Sequence, residues 1–340
     1  MTTPPPTVDA RDVYYDTTSS ELRDAALADS TRRSYDLNLN KFLTFTRLTL
    51  PRLLRLTPAI IDQRLSHYID DLFARAGSYD YACQSMFGLI YRCPVLRLAL
   101  GESRLRLRGW KRLKTSKSHP PITWELTVVF AATMTRWGRH AEAVATLVAF
   151  DCFLRVGELT RIQYHDVVMP FDPRLGSAAV GMAIRLARAK TGNNQSVTVE
   201  MPIVQRTLHA YLLAYPFLVT DRIFPFSPSS FRLLIRDVAD SLGLHDIPYV
   251  PHSFRHGGAT YHFLRGSTIE QIMFRGRWVA LESARRYIQT ARALLIILTI
   301  PAHLNDTGRT LTPHICDLIT SMMTQIPKTK LGAAIRRLRH

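Results

Sequence analysis

Apolar positions recur at helical spacing through the first third of the chain. One segment runs from Tyr35 to Leu43, a second from Ile60 to Leu72, and a third from Met86 to Ile90. Proline and glycine break the pattern between them, at Pro51, Pro58, Gly77 and Pro94. The spacing predicts a compact bundle of about four helices over residues 21–103. Residues 1–20 carry a proline run and few large apolar side chains, and we expect them to form a disordered arm.

Beyond residue 121 the pattern predicts a second, mixed domain. Thr123 is placed to cap a helix that ends near Arg136, and another helix begins near His140. Two strand-like stretches, 179–186 and 196–201, flank Gly192-Asn-Asn, whose composition favours a turn, and together they predict a β-hairpin. Everything after Pro202 has helical spacing. The predicted fold is mainly α with a small β-hairpin or sheet, with a domain at 122–310 and a helical, basic tail at 311–340.

Composition and charge narrow the class of partner. The chain has 340 residues, 46% of them hydrophobic, so it can bury a large core. Lys and Arg exceed Asp and Glu by 44 − 27 = 17, and the isoelectric point is near 10.2. This balance indicates a polyanionic partner, either nucleic acid or an acidic membrane surface. The longest apolar run, 293–300, is shorter than the roughly 20 residues that span a bilayer, and no secretion signal is recognisable, so we expect an intracellular protein that crosses no membrane.

A strongly basic segment lies between the two predicted domains. Residues 104–117 hold seven Lys and Arg and no acid. We interpret residues 104–121 as a linker that follows DNA phosphates, against the alternative of a solvated basic helix end. Two further basic residues stand in Thr31-Arg-Arg-Ser-Tyr35. The candidate DNA-binding residues are Arg32, Arg33, Arg108, Lys111, Arg112, Lys114 and Lys117.

Cysteine and histidine spacing gives no sign of a metal site. The four cysteines are scattered without a Cys-x-x-Cys pair, which suits a reducing compartment. His252 and His256 are four residues apart, but Ser253 stands where zinc-protease helices have glutamate. We therefore expect neither a metal nor any other cofactor.

A set of residues suited to phosphate chemistry occurs in the second predicted domain. His252 and Arg255 lie three residues apart at a predicted helix start, so both project from one face, where helix amides and a guanidinium favour an anion. Tyr287 follows Trp278 by nine residues. In chain order the set is Arg155 and Glu158 in Arg-Val-Gly-Glu, Lys190 by the predicted turn, His252 and Arg255 in His-Ser-Phe-Arg, Trp278 and Tyr287.

This ordered set resembles the signature of the tyrosine recombinase (lambda-integrase-like) family. That signature is an arginine in an Arg-x-x-Glu turn, a hairpin lysine, a His-x-x-Arg pair, a His or Trp, and a tyrosine nine residues after it. The resemblance covers roughly residues 30–300. It implies an N-terminal helical core-binding bundle and a C-terminal mixed α/β catalytic domain. Phe274-Arg-Gly-Arg-Trp stands where many relatives have Leu-Gly-His, which favours a mobile-element-encoded member.

The resemblance implies site-specific DNA recombination or integration through a 3′-phosphotyrosyl link. A tyrosine hydroxyl with a pKa near 10 is a poor nucleophile at neutral pH, so a cationic pocket must stabilise its attack. Because the link conserves phosphodiester energy, the reaction needs neither ATP nor metal. The implied roles are nucleophile for Tyr287, general acid for Lys190, phosphate binding for Arg155, His252, Arg255 and Trp278, and support for Glu158.

The family further implies double-stranded DNA as a partner and a tetramer of this chain on two DNA sites. We expect the protein in the nucleus if the host is eukaryotic and otherwise in the cytoplasm. The apolar segment after Tyr287 is either an ordinary core helix or a helix that docks into a neighbouring copy. Alternative functions are a topoisomerase-like or hairpin telomere-resolving enzyme, or a DNA-binding regulator whose catalysis has lapsed. A basic membrane-surface protein would leave the ordered set unexplained.

Overall fold

The computed structural model describes residues 26–114, 119–170, 172, 181–189 and 192–324. The chain divides into two compact units, 1–117 and 118–340. Several predicted features lie outside the described residues: the arm at 1–20, Lys117, Lys190 and the basic end of the tail at 328–339.

The first unit is a helical bundle, as the apolar spacing predicts. Phe42, Leu65 and Leu89 are fully buried in its core. Asp62 links two helices, because its carboxylate accepts hydrogen bonds from the first-turn amides of Glu102 and Ser103 at 2.8 and 2.9 Å. The helices are α1 (Asp29–Thr46), α2 (Leu50–Leu54), α3 (Pro58–Ala74), α4 (Tyr79–Arg92) and α5 (Gly101–Leu113), with a 3-10 turn at Pro94–Arg97.

The predicted linker at 104–121 is wrong for its first part, because residues 104–113 belong to α5. Leu107 and Trp110, three residues apart, lie on one face of that helix and are buried in the core of the first unit. Trp110 packs edge-on against Phe73 and Tyr79, with ring centroids 5.3 and 5.8 Å apart. The basic residues occupy the other faces, so the segment is the end of a helix with exposed basic side chains, and its contact with phosphate stays a prediction.

The second unit is mainly helical. Thr123 caps its first helix as predicted, since its hydroxyl accepts a hydrogen bond from the Leu126 amide at 3.2 Å. Phe130 and Phe150, on the first two helices, are fully buried at the centre of the core. The helices are α6 (Trp124–Arg136), α7 (His140–Asp151), α8 (Val156–Leu159), α9 (Pro202–Ala214), α10 (Pro228–Ser241), α11 (Pro251–Leu264), α12 (Ile269–Gly276), α13 (Leu281–Tyr287), α14 (Thr290–Thr299), α15 (Ala302–Leu311) and α16 (Ile315–Thr324), with 3-10 turns at Tyr164–Asp166 and Thr312–His314.

A small antiparallel sheet completes the second unit, so the predicted fold class is confirmed. Its strands are β1 (Val167–Val168), β2 (Met182–Ala189) and β3 (Gly192–Val199), in the order β1-β2-β3. The hairpin is longer than its composition predicts: Ala189 pairs with Gly192, so 192–194 belong to β3 rather than to a turn. Ladder hydrogen bonds outweigh the poor strand propensity of Gly and Asn there.

The described part of the predicted tail is not an appendage. Ile315 and Ile319 on α16 are fully buried in the core of the second unit. Gly308 lets α15 cross α6 closely, because a Cβ at this position would lie 2.3 Å from the Glu125 carbonyl oxygen. The boundary predicted at residue 310 is therefore wrong, and the compact unit continues through α16.

The helices of the described ranges were compared with the length and hydropathy that a membrane-spanning helix needs. No single helix there is both long and apolar enough to cross a bilayer. One pair of segments, Leu281–Thr299 and Ala302–Met323, meets the length and composition requirement only in combination, with a bend of 107° between them.

Candidate active site

The turn after α7 positions the first arginine. Arg155 caps the short helix α8, and its backbone amide donates to Glu158 Oε2 at 2.9 Å. The Arg155 guanidinium donates to Glu158 Oε1 at 2.6 Å. Arg155 and Glu158 are three residues apart, so these two bonds close a single turn of the chain. Arg155 keeps part of its side chain in solvent while Glu158 is buried, so the arginine faces the open side of the site.

The second arginine enters the site on α11, which begins at Pro251 as the sequence predicts. Arg255 is fully buried. Its Nη2 donates to the Gly276 carbonyl oxygen at 2.7 Å, and its Nη1 donates to the Phe153 carbonyl oxygen. Close packing makes this depth possible, because a Cβ at Gly258 would lie only 2.0 Å from the Phe150 carbonyl oxygen.

The aromatic residues Trp278 and Tyr287 lie against that arginine. The Arg255 guanidinium carbon is 4.9 Å from the Trp278 ring centroid and 5.0 Å from the Tyr287 ring centroid. The two rings stack on each other at 4.6 Å, and His256 stacks on the far face of Tyr287 at 4.5 Å. The structure therefore brings together Arg255, Trp278 and Tyr287, which are up to 32 residues apart in sequence.

A third arginine, which the sequence reasoning did not select, completes the cluster. Arg277 Nη2 donates to Glu158 Oε2 at 2.8 Å, and Arg255 Nη1 lies 3.8 Å from the same oxygen. Burial opposes ionisation of Glu158, but the guanidiniums, that of Arg277 foremost, hold the pKa of its carboxyl below the usual value. The only sequence signal for Arg277 is the unusual Arg-Gly-Arg run before Trp278.

The cluster carries more positive charge than its own carboxylate can balance. Around Glu158 stand three guanidiniums, a balance of 3 − 1 = 2 positive charges. Burial, together with Arg155 and Arg277, lowers the pKa of Arg255 to about 9, which leaves it protonated at neutral pH. Two buried donors, Arg255 Nε and Trp278 Nε1, have no hydrogen-bond partner among the described residues. Excess buried charge with unsatisfied N–H groups is the chemistry of an anion-binding site.

Two histidines on α11 are held neutral. Burial, then the charge of Arg255, lowers the pKa of His252 to about 4. Burial also lowers the pKa of His256 to about 4, with a smaller contribution from His252. The Gln289 amide nitrogen lies 3.0 Å from His256 Nδ1, where it can donate to the neutral ring. His252 lies beside His119, with ring centroids 6.2 Å apart.

A second buried ion pair lies beneath the site. Arg275 donates to the carbonyl oxygen and the side-chain carboxylate of Asp151, and the same carboxylate accepts from the Glu200 and Met201 amides at 2.9 and 3.0 Å. These contacts join the end of α7, the end of α12 and the exit from β3. Arg155 follows the first of these elements, Trp278 follows the second, and the third is a strand of the hairpin, so this pair ties together the segments that lead into the site.

The remaining candidate residues are the hairpin lysine and the basic residues of the first unit. Lys190 lies outside the described residues, between the two strands of the hairpin. In the first unit Arg32 pairs with Asp29 at 2.7 Å, while Arg33 is exposed. Arg108, Lys111, Arg112 and Lys114 are exposed on and just after α5. The contribution of these basic residues to DNA binding stays a prediction.

Comparison with models of known protein families gives no match, and neither does comparison with curated proteins. Solved structures do match. The XerH site-specific recombinase bound to palindromic difH substrate, in a post-cleavage complex, covers 78% of this chain and 78% of its own at a TM-score of 0.55 and 15% identity. The Tn1549 transposon integrase in complex with transposon right end DNA covers 79% of this chain and 99% of its own at 0.51 and 11%.

The same integrase with circular intermediate DNA covers 78% of this chain and 98% of its own, at a TM-score of 0.51 and 13% identity. The chain has the tyrosine-recombinase fold. Because the sequence identities to these structures are only 11 to 15%, the similarity concerns the fold and not the reaction. In this chain Arg155 and Arg255 meet at the buried Glu158 carboxylate, and Arg255 lies against the Tyr287 ring.

Proposed function

We propose that this chain is a member of the tyrosine recombinase family, a site-specific DNA recombinase or integrase that cleaves and rejoins DNA strands. The observation that carries the proposal is that Arg255 and the Trp278 ring lie against Tyr287, with Arg155 joined to them through Glu158, and that the Trp278 indole N–H has no hydrogen-bond partner among the described residues. This arrangement offers a phosphodiester two guanidiniums and a neutral donor next to a hydroxyl nucleophile. An ordinary protein core would not leave these groups buried without an anion.

In the proposed reaction Tyr287 Oη attacks the phosphorus and the 5′-oxygen leaves, which gives a 3′-phosphotyrosyl link. Arg155 and Arg255 neutralise the charge that develops on the non-bridging oxygens. His252 is neutral before DNA binds, and the nearby phosphate raises its basicity, so it can accept the Tyr287 proton. Lys190 protonates the leaving 5′-oxygen. A free 5′-hydroxyl reverses these steps and reseals the strand.

We propose that the partner is double-stranded DNA, which the basic surface and the site bind. We also propose that the protein serves a mobile element. It would then act inside a cell, and in the nucleus if the host is eukaryotic. The XerH and Tn1549 structures that share the fold contain DNA. We further propose that several copies assemble on DNA, up to a tetramer. The exposed apolar face of α14 supports this, since Leu294, Leu295 and Leu298 are 58, 63 and 82% exposed.

Recovery of covalently bound DNA tests the proposal without a known target site. Cells that express the chain are lysed in denaturant, protein-linked DNA is isolated, and its ends are sequenced. We expect DNA attached through its 3′ end at a recurrent sequence, and none with Tyr287→Phe. Equal DNA recovery from both proteins would contradict the proposal.

The products separate the alternative functions. Recombinant junctions between two recovered sites support a recombinase or integrase, whereas relaxation alone indicates a topoisomerase-like enzyme and closed hairpin ends indicate a telomere-resolving enzyme. Binding to the same DNA with no covalent product indicates a regulator without catalysis.

A further inference from the structure

Two residues with an uncommon backbone conformation lie at the site and touch each other. Among the described residues, the non-glycine residues with positive φ are Arg47, Ala76, Phe153 and Arg277. Phe153 (φ 49°) follows α7 and Arg277 (φ 56°) follows α12, where helices usually end in glycine. A bulky side chain in the left-handed region is unfavourable and persists only where its surroundings hold it.

The left-handed backbone at Phe153 turns its carbonyl oxygen into the arginine cluster. That oxygen accepts from Arg255 Nη1, and from Arg277 Nη2 at 3.3 Å. Both guanidiniums are therefore held by one backbone atom as well as by Glu158. An extended residue at this position would point its carbonyl elsewhere and leave the Arg255 Nη1 group without this acceptor.

The Phe153 side chain belongs to a column of stacked groups that includes the proposed nucleophile, Tyr287. The Arg275 guanidinium carbon lies 5.2 Å from the Phe153 ring centroid on one face. The Phe153 ring stacks on Trp278 at 6.2 Å and 18°, and Trp278 stacks on Tyr287 at 4.6 Å and 21°. His256 closes the column at 4.5 Å and 25° from Tyr287.

The Phe153 end of this column is closely packed. Phe153 is fully buried in a small cluster with Ala259, Ile272 and Ala284, separate from the main core. A Cβ at Gly258 would lie 2.8 Å from Phe153 Cδ1, so the ring fills the space that this glycine leaves. The Phe153 ring lies within 18° of the Trp278 plane, and the Trp278 ring lies within 21° of the Tyr287 plane.

We propose that Phe153 is a positioning residue for the strand-cleavage reaction: its carbonyl orients Arg255, and its ring sets the tilt of Trp278 and thus of Tyr287. The inference rests on the proposed function, because it assigns Phe153 a role in that chemistry. Phe153 acts through Arg255 and Trp278, which it contacts, and is therefore a positioning residue rather than a catalytic one. Misplacing the reacting groups by about an ångström can slow a reaction on the order of 100-fold.

The test uses full-length Phe153→Leu and Phe153→Gly on a nicked duplex of the recovered target sequence. Leucine fills the space without a flat face, and glycine keeps the left-handed backbone but has no ring. Phe231→Leu is the matched control, since Phe231 is also buried and lies on α10, in the main core. We expect both Phe153 variants to form the covalent complex roughly 10- to 100-fold more slowly at saturating DNA, with DNA affinity changed less than about twofold.

A second readout does not depend on catalysis. The chain has four tryptophans, so its indole N–H signals in an NMR spectrum are few, and Trp278→Phe identifies the one from Trp278. We expect the NOE contacts between this indole and the Tyr287 ring to weaken in both Phe153 variants and to persist in Phe231→Leu.

The outcomes distinguish the inference from the proposed function. Cleavage rates of the Phe153 variants equal to that of Phe231→Leu, or unchanged NOE contacts between the Trp278 indole and the Tyr287 ring, would overturn the positioning role. A wild-type protein that forms no covalent complex would overturn the proposed function, and these NOE contacts would then still decide whether Phe153 positions the column.

Discussion

At the residue scale, the balance of charge around Glu158 decides what the site can bind. Its carboxylate is shared by Arg155, Arg255 and Arg277. Without Arg277, the two remaining arginines and Glu158 would carry one net positive charge, and Glu158 would compete with phosphate for both of them. Arg277 therefore occupies the carboxylate and leaves Arg155 and Arg255 available to an anion.

We predict that Arg277→Gln lowers the free energy of unfolding by roughly 2–4 kcal/mol, because it removes one partner of a buried ion pair. Urea denaturation measures this. Arg309→Gln is the control, since Arg309 pairs with Asp306 in an exposed position and should change stability by less than about 1 kcal/mol. Equal effects of the two substitutions would contradict the buried charge balance.

Stability should also depend on the protonation of His256. Burial lowers the pKa of His256 to about 4 in the folded chain, whereas the unfolded chain has a pKa near 6.5. Between these values the unfolded chain binds more protons, so stability falls as the pH falls from 6.5 to 4. The contribution of His256 over this interval should be roughly 2–3 kcal/mol.

Denaturation of His256→Gln measures that contribution, because glutamine does not titrate and the carboxylates of the two proteins titrate alike. His314, which is exposed, supplies the control His314→Gln. The difference between wild type and His256→Gln should narrow as the pH falls. A difference that is constant from pH 6.5 to 4 would contradict a neutral, buried His256.

The sequence predicts the pairs of site residues that lie close together along the chain. Arg155 with Glu158 and His252 with Arg255 lie one turn apart, so their proximity follows from the helix or turn. Phe153 and Arg277 could not be found in this way. Their left-handed conformation is imposed by tertiary contacts, and the usual sequence signal for it, a glycine after the helix, is missing at both positions.

At the element scale, α14 decides between the two interpretations of the apolar segment that follows Tyr287. Among the described residues it is not a core helix, because most of its large apolar side chains are exposed and Ala293 is its only buried residue. Ile296 packs against the core of its own unit. We propose that this exposed face docks into another copy of the chain.

We predict that Leu295→Gln with Leu298→Gln weakens the assembly of several copies on DNA while single-copy binding is retained. Both side chains are largely exposed, so folding should be unaffected. Gel-shift titration of a two-site duplex measures the higher-order complexes. Leu213→Gln on α9, which is 73% exposed, is the control. Unchanged higher-order complexes in the double variant would exclude α14 from the interface.

The sequence predicts the helices well where polar and apolar residues lie on separate faces. It predicts them poorly where many basic residues lie between the apolar positions. In α5 the buried positions Leu107 and Trp110 are surrounded by arginine and lysine, so charge content indicated a linker. Burial of Trp110 against Phe73 outweighs that composition. A single helix was therefore divided between two predicted segments.

At the scale of the whole molecule, a net charge of +17 should make DNA affinity strongly dependent on salt. Arg108 and Arg112 lie one turn apart on α5 and are exposed. We predict that replacing both with glutamine lowers the slope of log affinity against log salt by about 1.8, since each phosphate that the protein neutralises contributes about 0.9 to that slope. Fluorescence anisotropy at several salt concentrations measures the slope.

The control for that measurement is Arg106→Gln, because Arg106 already pairs with Asp70 at 3.0 Å and with Glu102 at 2.5 Å. It should change the slope little. An unchanged slope in the double variant would show that this face of α5 does not contact phosphate.

The fold class and the two-part organisation followed from the sequence, because apolar periodicity and the position of the hairpin are strong local signals. The boundaries did not. The extension of the second unit through α16 depends on Ile315 and Ile319 packing far from their neighbours in sequence, which no local pattern specifies.

The central claim is that Tyr287 attacks DNA from a site built by Arg155, Arg255 and Trp278. The most direct measurement is covalent capture on a nicked duplex of the recovered sequence, followed by mass spectrometry of the digested complex. We predict a nucleotide attached through its 3′-phosphate to the peptide that contains Tyr287, and no adduct in Tyr287→Phe although that variant still binds the duplex. An adduct on another residue, or equal capture by the phenylalanine variant, would contradict the account.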